Sequence, residues 1–401
     1  MNLSSGYPFD LIRNGIPYDY PRLASDRVTD VVVLGGGISG ALISYYLQKA
    51  GIASLLLDGR TIGLGSTCAS TSLLQYEIDT PLYRLSSMIG KKKAERCYHL
   101  SAAAIDSLEN ICGETHFKDF HKSDSIYFAA TRKDMSLLKR EYEARSAAGF
   151  AVNWMDEEEL RKAYGLKAPA AIRSTQAAQT NAYMLTHALH RFNIKKGMEV
   201  FDRTPVVKID HTRKGVSLVT SEGFRIRCKK LVYATGYESV KYIEEKIVKL
   251  SATYAVASEQ FNNPNFPWQN RTVFWNTSDP YFYMRLTEDN RILTGGRDER
   301  FTSDRKRDEM IAEKARGLAR DFNHCFPSIP FKKEFSWTGI FGSTKDGLPY
   351  IGSYNKLPNA LFALGFGGNG ITFSVMAAEL VSALLAGKKS RDAGLFAFGR
   401  L

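Results

Sequence analysis

Three glycines and one aspartate carry the plainest chemistry in this chain. Gly35, Gly37 and Gly40 stand in the spacing G-x-G-x-x-G, and Asp58 follows further on. The first glycine allows a tight turn, the second lets a pyrophosphate approach the backbone, and the third lets a helix pack closely on a strand. Ile38 and Ser39 open the helix whose free N–H groups would face the phosphates. Asp58 lies where a carboxylate accepts from a ribose hydroxyl. The surrounding pattern supplies the elements these residues need. Asp30 to Leu34 is a short apolar run, read as a buried strand. Ala41 to Lys49 has helical spacing and Gly51 is placed to end it, before a second apolar run from Ala53 to Leu57. A ligand-free strand–helix turn would leave Asp58 without a role, so the fingerprint predicts a bound dinucleotide.

Four more segments add candidates. Gly59 to Gln75 is rich in glycine and hydroxyls; Arg60, Gly65, Ser66, Thr67, Ser70 and Thr71 suit a loop beneath a pyrophosphate and a ring system. The alternative is a polar loop capping the next helix. Lys230 to Gly236 reads as a buried strand ending in Ala234, Thr235 and Gly236, which bring backbone close to an adenylate. Val207, in the meander before it, belongs with this set. Trp337 to Gly352 contributes Gly339. Leu364 to Ser374 contributes Gly367, Gly368, Asn369, Gly370, Ile371 and Thr372. This last segment also reads G-x-G-x-x-G, at Gly365, Gly367 and Gly370. No second strand or ribose acid follows it, so it is read as a helix N-terminus aimed at an electron-rich ligand atom.

The chain has 401 residues, enough for two domains. Residues 1–28 lack periodicity and read as a surface arm. Lys91 to Gly113, Arg132 to Gly149, Asp156 to Gly165, Ala182 to Lys196 and Asp304 to Phe322 read as helices. Segments within 204–228 read as a small antiparallel meander. Ser251 to Gln260, Thr272 to Trp275, Tyr281 to Leu286 and Arg291 to Gly296 read as strands with aromatic alternation. The nucleotide-binding pieces are therefore scattered, unlike the contiguous domain of a nicotinamide dehydrogenase. The net charge of +12 is dispersed and no nucleic-acid motif appears, so a solvated basic surface is expected. No segment reads as membrane-spanning and the N-terminus does not read as a signal peptide. Five scattered cysteines fit reduced thiols, and the expected location is the cytoplasm. No metal spacing appears; His187 and His190 read as packing or surface residues.

The five motifs, in this order, resemble the FAD-dependent D-amino-acid oxidase, glycine oxidase and sarcosine oxidase family, from about Asp30 to Gly387. Asp346-Gly-Leu-Pro-Tyr-Ile-Gly352 ahead of the last motif is the most diagnostic part. The resemblance implies an α/β fold: a Rossmann-type FAD-binding domain of discontinuous segments (29–85, 166–248 and 335–401). A second α+β substrate domain (86–165 and 249–334) would be built on a mostly antiparallel sheet. It implies oxidation of a C–N bond of an amine or amino acid by hydride transfer, the imine then being hydrolysed. In the amino-acid-oxidising branches an arginine follows Trp-x-Gly-x and clamps the substrate carboxylate; this chain has Phe341 there. No cysteine lies between Trp337 and Gly352, so FAD is expected to be non-covalent. By the same resemblance the lysine that activates oxygen in sarcosine-type enzymes corresponds to Leu293, so oxygen is expected to be a poor acceptor, and the natural electron acceptor is open. Tyr283, Arg285 and Phe341 are the expected pocket residues, with Tyr281, Arg297, Gln75, Tyr76 and Glu77 as further candidates. The alternatives are an NAD(P)H-reduced flavoprotein, or a non-catalytic flavin-binding subunit of a larger dehydrogenase.

Overall fold

The valines that open the fingerprint lie at the centre of a sheet. In the computed structural model, which describes residues 2–261, 266, 268 and 271–400, strand Arg27–Leu34 runs parallel to Ser54–Leu57 on one side and Arg225–Tyr233 on the other. Val31, Val32 and Val33 are buried, as a parallel strand covered on both faces requires. Glu199–Phe201 extends the sheet in parallel beyond Ser54–Leu57. On the other side Ala360–Leu364 is parallel and Tyr350–Ser353 closes the edge antiparallel. Helices Ile38–Lys49, Lys91–Glu114, Ala182–Lys195 and Gly370–Leu385 share one apolar core against this sheet. The meander Val206–Thr212, Gly215–Thr220 and the start of Arg225–Tyr233 folds over the opposite face.

A ten-stranded sheet forms the second layer system. Its strands Lys249–Ser258, Tyr283–Leu286, Ile292–Arg300 and Lys333–Ser343 are antiparallel neighbours in the order 333–343, 249–258, 292–300, 283–286. Strand Val273–Asn276 then joins Phe120–Phe128, which pairs with Ala170–Thr180. Residues 1, 262–265, 267, 269–270 and 401, which fall in the expected segments 1–28, 249–334 and 335–401, lie outside the described residues.

Several expectations need correction. Residues 1–28 are not a surface arm: Ser4–Gly6 pairs with Trp337–Gly339, and Phe9, Tyr20 and Leu23 are buried. Ala170–Thr180, assigned by sequence to the nucleotide segments, is a strand of the ten-stranded sheet, as are Leu73–Gln75 and Lys333–Ser343. Ala170–Thr180 reads AAIRSTQAAQT with no apolar alternation, because consecutive residues at 170–172 and 177–180 are buried, so both faces are covered there. The expected helix 304–322 is two helices, Asp304–Glu309 and Ile311–Cys325, separated at Met310.

Candidate active site

The first turn of helix Ile38–Lys49 meets the strand end through two close approaches. Gly35 has φ +112°, and a Cβ there would collide with the Ala234 carbonyl; a Cβ on Gly40 would collide with the Gly35 carbonyl. Gly40 therefore does what the third glycine of the fingerprint is expected to do, and it does not line the cavity beside it. Asp58 ends strand Ser54–Leu57 and holds the loop: Gly36 N–H donates to its Oδ2 at 2.7 Å and Arg60 N–H to its Oδ1 at 2.8 Å. Burial raises its pKa, and the two backbone donors oppose the rise. Each carboxylate oxygen keeps a lone pair for a ribose hydroxyl. Thr67 Oγ1 accepts from Ile38 N–H at 3.1 Å, so the hydroxyl loop packs directly on the helix start.

These residues border a cavity of about 480 Å³. One end is lined by Asp58, Arg60, Pro205, Val206, Ala234, Thr235, Gly236 and Glu238. The middle takes in Gly35, Gly37, Ile38, Ser39, Gly65, Ser66, Thr67, Ser70 and Thr71. The far end is lined by Gln75, Thr253, Tyr281, Tyr283, Asp298, Gly339, Phe341, Gly367, Gly368, Gly370 and Ile371. The site thus spans both sheets. Strand Lys333–Ser343 reaches from one to the other, and Trp337 Nε1 donates to the Ala69 carbonyl at 2.9 Å, pinning the hydroxyl loop. In the Asp346 motif the carboxylate is structural, paired with Arg400 and accepting from Leu348 N–H.

Several sequence candidates fall elsewhere. Val207 is exposed; the strand alternation turns its neighbour Val206 to the cavity. Arg285 is buried in a separate small cleft beside Asp10, donating to the carbonyls of Thr71 and Thr180. Arg297 is paired with Asp321. Tyr76 stacks on Phe150, and Glu77 is buried against Arg145. Leu293 is buried in the core. Asn369 and Thr372 are not cavity-lining: Asn369 Nδ2 donates to the carbonyls of Gln75 and Glu77, and Thr372 donates to the Asn369 carbonyl. They fix the approach of helix Gly370–Leu385 instead. Ser39 lines the cavity by backbone while its hydroxyl meets Ser374 Oγ at 2.7 Å.

Sequence reasoning missed three contributors. His190 Nε2 lies 2.9 Å from the Gly36 carbonyl, which can only accept, so Nε2 carries a proton. Burial pushes its pKa down to about 4. Helical spacing alone gave no sign of this contact. Asp79 accepts from Gly368 N–H at 2.9 Å, beside Tyr281. Asp298 lines the far end of the cavity, and its Oδ1 is buried without a partner.

FAD fits the residues present. Ser66 and Gln75 line the cavity, and Ser66 Oγ and Gln75 Nε2 are buried without a hydrogen-bond partner, which leaves both groups uncommitted to the protein. The glycine backbone and Asp58 form the expected cradle. The second G-x-G-x-x-G opens helix Gly370–Leu385, and among the described residues no strand follows that helix. Nor does any helix among them have the length and apolarity to cross a membrane, and no His, Cys, Asp or Glu group there suits a metal.

Comparison with known proteins agrees with this geometry. The model of the family "FAD dependent oxidoreductase" matches residues 30–384. Glycine oxidase of Bacillus subtilis is 24% identical over 400 residues, covering 93% of this chain and 97% of that protein. Gamma-glutamylputrescine oxidoreductase of Escherichia coli is 21% identical, covering 94% and 87%. The crystal structure of glycine oxidase from Geobacillus kaustophilus superposes with a TM-score of 0.80 at 22% identity, covering 94% and 99%.

Proposed function

The chain belongs to the FAD dependent oxidoreductase family, and from that premise we propose that it oxidises the C–N bond of an amine whose main anchor is not a carboxylate. FAD supplies the hydride acceptor. The α-carbon of a neutral amine gives up hydride, the nitrogen lone pair closes the C=N bond, and water hydrolyses the imine to a carbonyl compound and a second amine or ammonia. The chain's own part is to bind and orient. Asp58 would hold the ribose, and the N–H groups at the start of helix Ile38–Lys49 would hold the pyrophosphate. Ser66 and Gln75 would meet the ring system. Relatives named for glycine, opines and gamma-glutamylputrescine support an amine or amino acid as substrate.

The observation that carries the choice among these is the make-up of the far end. Among the described residues, Arg60 is the only lysine or arginine lining the cavity, and it pairs with Glu238 at the Asp58 end. Phe341 stands where a carboxylate clamp would be, and Arg285 and Arg297 are engaged elsewhere. A phenyl ring cannot make the bidentate pair that an arginine gives a carboxylate. Reduction of the purified flavoprotein under anaerobic conditions tests this: N-alkyl amines should bleach the flavin, and glycine and D-alanine should do so poorly. Rapid bleaching by micromolar D-alanine would overturn it, as would bleaching by NADH but by no amine.

A further inference from the structure

Among the described residues, the far end of the cavity carries one charged lining side chain, Asp298. It sits on strand Ile292–Arg300, and Tyr254 of strand Lys249–Ser258 is among the titratable groups that feel its charge. Thr253 lies beside it on strand Lys249–Ser258. Tyr283 faces it from strand Tyr283–Leu286 and Tyr281 from the residues just before that strand, Asp79 from the segment after Leu73–Gln75, and Asp279 from the preceding turn. Lys314 of helix Ile311–Cys325 is the one cation among them, but it is paired with Glu299 and lies over the Tyr254 ring. The Oδ1 atom is buried and accepts no hydrogen bond. A buried acceptor left without a donor is costly, and a ligand bearing a donor removes that cost.

Hydride release needs the reacting nitrogen neutral. A carboxylate against that same nitrogen would favour its protonated form and oppose the reaction. The charge is therefore better matched to a different nitrogen of the substrate, with Phe341 as an apolar wall for the carbons between. Building on the amine-oxidising reading above, we propose that Asp298 anchors a second, cationic nitrogen of the substrate, so that the pocket takes diamines and related amines with a basic nitrogen distal to the bond oxidised. Burial, reinforced by Asp79 and Asp279, pushes the Asp298 carboxyl up to about 6, so it is ionised at neutral pH and loses its charge on mild acidification.

The test uses the FAD-loaded enzyme and two probes that it cannot oxidise, tert-butylammonium, which has N–H donors but no hydrogen on the carbon beside nitrogen, and pentanoate, titrated by calorimetry. The ammonium should bind and the pentanoate should not compete with it. Asp298→Asn should weaken the ammonium by about 10- to 150-fold, the range of one charge-assisted hydrogen bond. In the unsubstituted enzyme the same affinity should fall as the pH drops through about 6; this arm holds even if the variant does not fold. Anaerobic flavin reduction by diaminobutane should then half-saturate at lower concentration than reduction by butylamine. Ammonium affinity that ignores both Asp298 and pH, tighter binding of pentanoate, or equal behaviour of the two amines would each overturn the proposal. Asp298-dependent ammonium binding in an enzyme whose flavin no amine bleaches would sustain the anchor and reject the amine-oxidising reading.

Discussion

Asp58 holds its loop, and the same carboxylate is the one proposed to serve the ligand. Its two oxygens already accept the N–H groups of Gly36 and Arg60, which fixes the carboxylate before any ribose arrives. Asp58→Ala should weaken FAD binding by about 10- to 150-fold, from the ~1.5–3 kcal/mol of a hydrogen bond to a charged group; equilibrium dialysis of the apoprotein measures it. His190 acts from behind the same loop. The folded protein keeps this imidazole neutral to about pH 4, whereas in the unfolded chain it takes a proton near its ordinary 6.5. Between those values the unfolded state binds the extra proton, so this residue's contribution to stability is lost as the pH falls. Asp10 and Asp298, whose carboxyls are raised to about 6, act in the opposite sense and mask it in the total. Comparison with His190→Asn cancels the aspartates. The unsubstituted protein should lose about 2–3 kcal/mol more than the variant between pH 7 and pH 4 in urea melts, from ~1.4 kcal/mol per pKa unit. Parallel curves would show that His190 is not held neutral.

At the scale of elements, the decisive contact is the start of helix Ile38–Lys49 on the end of strand Arg27–Leu34. A methyl on Gly40 would collide with the Gly35 carbonyl, a backbone group held in the strand-to-helix turn, with the Leu56 side chain beside it. Gly40→Ala should therefore lift the helix from the strand and cost about 1–3 kcal/mol or more as overpacking. FAD retention should be lost along with thermal stability, which differential scanning fluorimetry of the purified variant would record. Gly51→Ala is the control. It ends the same helix at φ +68° with open space around its Cα, so it strains only the backbone there and should leave the cofactor in place. Strand Lys333–Ser343 is the other element that matters. It carries Trp337, which pins the hydroxyl loop, and Gly339 and Phe341, which line the cavity. One strand thus ties the substrate-side sheet to the cofactor loop.

The whole molecule is two sheets sharing one elongated cavity, with the chain crossing between them several times. The N-terminal residues take part: Leu3 lines the cavity and Ser4–Gly6 forms the sheet edge beside Lys333–Ser343. Holding FAD by many dispersed polar contacts needs no covalent link, and among the described residues no cysteine lines the cavity. Acid precipitation should therefore release the flavin into the supernatant, where its absorbance identifies it; flavin that stays with the pellet would contradict a non-covalent cofactor.

Local rules made the cofactor half of this protein legible. Glycine spacing, an apolar strand on each side and an acid at the second strand's end are constraints within a short stretch of chain, and backbone sterics leave them few other solutions. The position of Gly339 and Phe341 at the cavity followed from motif order in the same way. The substrate end could not be read so. Tyr283 and Phe341 do line it, but Arg285 turns into a separate cleft, and Asp298 and the partners of His190 come from segments far apart in sequence. Which side of a strand faces a cavity depends on register across the sheet, and a one-residue shift exchanges Val206 for Val207. Register, and the burial that leaves one carboxylate oxygen without a partner, are properties of neighbours the sequence does not list side by side; only the folded chain brings them together.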